Sequence, residues 1–152
     1  MAYNAVIELI KRNAYDCLFL VNPKIQVLDG IRDQVLVIPS VCEINIGKKL
    51  STSLLATPLN DPGRSAQRRL AEEIESIHPE LPLCTHIDFL FEPGLGIDPF
   101  MLFRQVARNT RLIALWPGDY SSETLSYAVP EHGHYRIWHV SDPGIMVYRL
   151  DG

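Results

Sequence analysis

The chain has 152 residues, of which 47% are hydrophobic and 21% charged, and a formal charge of −4. That length fits one domain with a substantial core, and the composition excludes a disordered chain. The charge excludes a molecule basic enough to coat nucleic acid. No apolar run reaches the roughly 18 residues that span a bilayer, so no membrane is expected among its partners.

The opening stretch "MAYNAVIELIKRN" has no basic residues ahead of its apolar ones and does not read as a signal peptide. Cys17, Cys42 and Cys84 each fall in or beside a strand-like run. That suits small buried hydrophobes in a reducing compartment, and their odd count and wide spacing fit neither a disulfide framework nor a zinc knuckle. A cytoplasmic location is expected.

In chain order, residues 3–13 place Val6, Leu9, Ile10 and Asn13 at helical spacing, an amphipathic helix. "CLFLVN" (17–22) is apolar on both faces, as a central parallel strand requires. Residues 24–34 are ambiguous between helix and turn. "QVLVIP" (34–39) and "VCEINI" (41–46) read as two short strands, or as one broken by Pro39.

"NIGKKLSTSLLATP" turns helical, with Ile46, Leu50, Ser53 and Leu54 on one face, and Pro58 ends it. "LNDPGR" is a turn. A helix over 64–77 carries Leu70, Ala71, Ile74 and Ile77 on one stripe and charge on the other. A buried strand follows at 82–87. Asp98 and Pro99 then supply an N-cap and a first helical residue for a helix over 99–108. "RLIALW" (111–116) is another buried strand, and "YRIWHV" (135–140) with "GIMVYRL" (144–150) reads as a hairpin around "SDPG". Alternating strands and helices imply an α/β fold, a mostly parallel sheet flanked by helices, with a β-hairpin tail, in one domain over 1–152.

A working phosphate loop needs G-x-x-x-x-G-K-[ST], because glycine amides turn toward the phosphates while Lys and the hydroxyl meet oxygens and Mg²⁺. After the 17–22 strand the chain offers Asn22, Pro23 and Lys24 instead, with no glycine within seven residues. A second candidate, "CEINIGKKLS" (42–51), has Gly47-Lys48 but Cys42 for the first glycine and Lys49 for the hydroxyl. It could still attract an anion as a helix N-terminus.

Asp88 lies past the 82–87 strand, as a catalytic base or as a cap. His132 and His134 with His139 could meet a metal, or be surface histidines of a loop. Arg64/Arg68 and Arg104/Arg108 are each four apart, so each pair shares a helix face: a solvated surface, or a contact for phosphate or an acidic partner. "WPGDY" follows a buried strand at the carboxyl edge, where α/β folds bind ligands, and is expected to hold Asp119 and Tyr120 there beside Trp116.

The segments "INIGKKLSTSLLATP", "HIDFLFEPGLGIDPFMLFRQVARNTRLIALWPGDY" and "LSYAVPEHGHYRIW" are spread over residues 44–138, a stretch of about two-thirds of the chain. In this order they resemble the BrxF family of small P-loop proteins, components of type 3 BREX phage-defence systems. The resemblance implies a P-loop NTPase-like (RecA/AAA-like) core. It puts the phosphate loop at 22–29, where the glycines and Lys-Thr pair are missing. The Walker B acid would fall near Thr85, with Asp88 as a partial stand-in. Arg108 and Arg111 would lie beside the fourth strand, where an arginine finger could act in trans.

The expectation is a non-catalytic P-loop-like assembly or regulatory component of an anti-phage defence complex, with no metal and no cofactor. Its partners are then other protein components of the complex, a further copy of the chain, or DNA through the complex. The contact surface is assigned to Arg64, Arg68, Arg104, Arg108, Arg111, Trp116, Asp119 and Tyr120. The alternatives are a small NTPase binding ATP and Mg²⁺ at Asn22, Pro23, Lys24 and Asp88, and a DNA-binding accessory protein.

Overall fold

The computed structural model describes residues 2–12, 14–55, 62–127 and 135–151. In chain order the elements are α1 (Ala2–Arg12), β1 (Cys17–Val21), α2 (Ile25–Val35), β2 (Val41–Asn45), α3 (Ile46–Leu55), α4 (Pro62–Glu75) and β3 (Leu81–Thr85). Two 3₁₀ turns follow (Ile87–Phe91 and Pro93–Leu95), then α5 (Pro99–Ala107), β4 (Leu112–Trp116), β5 (Gly118–Ser121), β6 (Thr124–Tyr127), β7 (Arg136–His139) and β8 (Ile145–Arg149). Pro58, residues 59–61, His132 and His134 lie outside the described residues.

Five parallel strands form the main sheet in the order β2-β3-β4-β1-β8, and β5-β6-β7 form a separate antiparallel sheet. β1 and β4 lie inside the main sheet and every residue of both is buried, so their unbroken apolar runs are what a strand covered on both faces requires. Alternation divides β1 between two layers: Cys17, Phe19 and Val21 pack with α3, α4 and α5, whereas Leu18 and Leu20 pack with α1 and α2.

Asp98 caps α5 by accepting the Met101 N–H at 3.1 Å, as the Asp-Pro pair predicts. The α4 stripe is also as read: Leu70 and Ile74 are buried, Ala71 and Ile77 partly so.

Two readings are corrected. Residues 34–39 hold no strand; α2 runs to Val35, its end closes through Leu36 N–H to Arg32 O, and a turn delivers the chain to β2. Of the apolar β-branched residues there, Val35 is the buried end of the helix, whereas Val37 is exposed in the turn that follows. The last two strands do not pair with each other: β7 pairs antiparallel with β6, and β8 pairs parallel with β1. The antiparallel hairpin is β5–β6, whose turn residues Ser122 and Glu123 both have positive φ, at 49° and 60°. That two-residue geometry usually selects Asn-Gly.

Aromatic side chains join the small sheet to the main one. Trp116 meets Trp138 edge-on at 5.3 Å between ring centroids, and Phe91 stacks on Tyr127 at 3.9 Å. Trp116 Nε1 donates to Ser126 O at 2.9 Å. The chain can turn from β4 into β5 this sharply because residue 118 is glycine: a Cβ there would sit 1.7 Å from Ser126 O.

Candidate functional site

In an open α/β sheet, ligands bind outside the carboxyl ends of the strands where neighbouring connections leave on opposite faces. Here that point lies between β1 and β4. The chain leaves β1 for α2 on one face, and leaves β4 for the small sheet on the other.

Only residues 22–24 separate β1 from α2. Asn22 is 6% exposed and fills the position. Its Nδ2 donates to Leu150 O at 2.8 Å, and its Oδ1 accepts the Lys24 N–H at 2.8 Å. Its own backbone N–H donates to Trp116 O at 3.2 Å, while Leu150 N–H donates to Val21 O at 2.9 Å. One asparagine thus ties β4, β1 and the end of β8 together, in an Asx turn that consumes an amide a phosphate cradle would present. Outside it, Asp119 and Arg149 pair at 2.8 Å.

The cavity beside this turn, lined in part by Ile25, Asp29, His86 and Asp88, measures about 20 Å³. That is room for about one water, against the roughly 300 Å³ or more of a small-molecule site. Asp88 stands on the first 3₁₀ turn. Burial first, then the Asp88 and Glu92 carboxylates, push the Tyr127 phenol above its ordinary value.

A carboxylate does reach the end of β3, but from the neighbouring strand: Thr85 Oγ1 donates to Glu43 Oε2 at 2.7 Å. Sequence reasoning passed over Glu43; its one signal was a lone charge inside a strand. Glu43 itself is on β2, and β3 and β4 lie between β2 and β1, so its strand stands three inter-strand spacings, roughly 14 Å, from that of Asn22. The second anion candidate is an ordinary helix start. Asn45 Oδ1 accepts the Lys48 N–H at 3.0 Å, and Gly47 sits under Phe89, whose ring would lie 2.8 Å from an added Cβ.

The residues assigned to a contact surface separate into different settings. Trp116 is fully buried and is a packing residue, which corrects its place on that surface. Asp119 pairs with Arg149, and Tyr120 packs partly buried against the core. Arg104 pairs with Asp142. Arg111 Nε donates to Tyr15 O at 2.6 Å and its guanidinium lies 5.8 Å from the Tyr15 ring centroid, so it fastens β4 to the segment before β1. Arg108 is exposed at the opposite, amino edge of the sheet, beside a cavity of about 650 Å³ that also holds Lys11, Asp16 and Glu80. Arg64 and Arg68 line a groove of about 700 Å³ between α4 and α5.

His139 faces Glu123 at 3.6 Å, and among the described residues no group of three His, Cys, Asp or Glu is placed to hold a metal. Among them too, no helix is long and apolar enough to cross a membrane. No protein-family model, curated protein or solved structure matches the chain.

Proposed function

We propose that the chain is a non-catalytic P-loop-like module that serves as an assembly or regulatory component of a multi-protein complex. The observation that carries this reading is the Asn22 turn, where the carboxyl edge of the sheet is closed by a side chain. The frame also supports it. The first strand lies between the fourth and the last, with β3 and β2 beyond, so the turn after it falls at the switch point of a parallel sheet. In this reading the position of the phosphate loop is kept while the Lys24 amide is spent on Asn22. The setting in this proposal is the one the resemblance to BrxF-type proteins implies, a BREX-type anti-phage defence complex in the cytoplasm.

In this reading the work is done by surfaces, with binding energy coming from side chains on helices rather than from a nucleotide. The test is affinity purification of the tagged chain from its own source, followed by native mass spectrometry. A complex of defined stoichiometry is expected. A strict monomer that brings down nothing contradicts the proposal.

A further inference from the structure

We propose that the cavity at the amino edge of the main sheet binds a small aliphatic zwitterion, a molecule that carries an ammonium group and a carboxylate or phosphate. The cavity measures about 650 Å³, which is the size of a small-molecule site. Its walls come from the ends of α1 and α5 and from the segments that lead into β1, β2, β3 and β4. It stands at the opposite edge from the Asn22 turn and does not depend on the assembly reading, so failure of either leaves the other standing.

The strand order places the charges. β3, β4 and β1 are neighbours, and Glu80, Arg111 and Asp16 each come immediately before one of them. The two carboxylate residues therefore stand two inter-strand spacings, roughly 10 Å, apart along the edge. The other cations enter from the two faces. Lys11 lies in the last turn of α1, which packs on one side of the sheet, and Arg108 follows α5, which packs on the other. Charges of both signs thus surround one space without meeting. The side chains of Lys11, Asp16, Glu80 and Arg108 make no hydrogen bond or ion pair among the described residues.

Arg111 and Thr110 stand deeper, Arg111 partly buried and Thr110 only 8% exposed. Arg111 Nε donates to Tyr15 O at 2.6 Å, which fixes the guanidinium, and no described residue accepts from its two terminal nitrogens. The Thr110 hydroxyl likewise has no partner among the described residues. A polar group so nearly buried is normally hydrogen-bonded. The guanidinium and the hydroxyl suit a carboxylate or phosphate, and Asp16 and Glu80 suit an ammonium group.

Both signs are needed. A ligand of negative charge alone leaves Asp16 and Glu80 opposed to it, and one of positive charge alone meets Lys11, Arg108 and Arg111. Ile10, Ile38 and Leu81 supply apolar wall for an aliphatic stem. Among the described lining residues there is no phenylalanine, tyrosine or tryptophan, so a nucleobase finds no such ring to stack on.

The experiment is isothermal titration calorimetry of the full chain with L-lysine, L-glutamate and O-phosphoethanolamine, whose comparison separates a carboxylate ligand from a phosphate one. Succinate and putrescine serve as probes of a single sign. Arg108→Gln and Glu80→Gln each remove one charge at an exposed position, with folding checked by circular dichroism. At least one zwitterion is expected to bind saturably, and each variant should weaken it about tenfold, the loss of one charged hydrogen bond.

A site for anions alone binds succinate at least as tightly and gains affinity in Glu80→Gln. A site for cations alone binds putrescine at least as tightly and gains affinity in Arg108→Gln. Either pattern overturns the assignment, as does zwitterion binding indifferent to both variants, or no saturable binding of any zwitterion at millimolar concentration.

Discussion

Replacing Asn22 by alanine tests the closure of the carboxyl edge at a single side chain. The substitution removes the donor to Leu150 O and the acceptor for Lys24 N–H, each bond 2.8 Å long. Leu150 is only 3% exposed, so its carbonyl is left without a partner in the interior. An orphaned buried group costs about 1–3 kcal/mol. Lys24 is exposed and its amide can turn to water, which adds roughly 0.5 kcal/mol.

The expected loss is therefore about 2–3 kcal/mol, or a fall in melting temperature of roughly 5–10 °C for a domain of this size. Urea unfolding followed by tryptophan fluorescence reads it directly, because Trp116 and Trp138 both report on the core beside the turn. The midpoint should fall at unchanged slope. Asn22→Asp should cost more at neutral pH than at acid pH, since it sets a carboxylate against the Leu150 carbonyl. An Asn22→Ala protein within about 0.5 kcal/mol of wild type, the scatter of ordinary surface changes, would refute the argument that this side chain holds the edge shut.

Asp98→Ala should destabilise by about 2 kcal/mol in the same assay, because it removes the α5 cap and the acceptor of Trp138 Nε1 at 3.0 Å. Arg149→Ala, by contrast, should cost less than about 1 kcal/mol and less still in high salt, since both members of its pair with Asp119 are substantially exposed. Burial, partly offset by the Arg111 guanidinium, pushes the Tyr15 phenol up to about 12. The unfolded chain then releases that proton near pH 10 while the folded one holds it. Stability should be level below pH 10 and fall between pH 10 and 12, by up to about 1.4 kcal/mol per pH unit, with tyrosinate absorbance rising late. Burial, and then Cys84 and Asp16, raise the Cys17 thiol, and burial raises Cys84, whereas Cys42 is partly exposed. Thiol titration of the native protein should find Cys42 reacting first, and all three only in denaturant.

The elements legible in the sequence are those whose signal is local. β1 and β4 announced themselves as unbroken apolar runs, and α5 by Asp98-Pro99. Pairing was not legible. Ile145–Arg149 carries a strand pattern that says nothing about its partner, and the partner is β1, far back in the chain, rather than the adjacent β7. The β5–β6 turn was hidden because Ser122 and Glu123 adopt positive φ without the glycine or asparagine that usually marks such a turn.

At the site, the sequence showed that no glycine follows the first strand within seven residues. It could not show that Asn22 reaches Leu150, nor that Glu43 approaches Thr85 across a strand pair. Trp116 misled for the opposite reason. Its place in a sharp turn suggested an exposed edge, while the returning small sheet buries it completely.

In the proposed reading residues 22–24 keep the place of a phosphate loop, but Asn22 fills it and takes up the Lys24 amide. Isothermal titration calorimetry of the full chain with ATP and Mg²⁺ tests it most directly. The account predicts heats of dilution and no saturable binding up to millimolar nucleotide, for wild type and for Asp88→Asn alike. Saturable binding at micromolar concentration, weakened by Asp88→Asn, would contradict it.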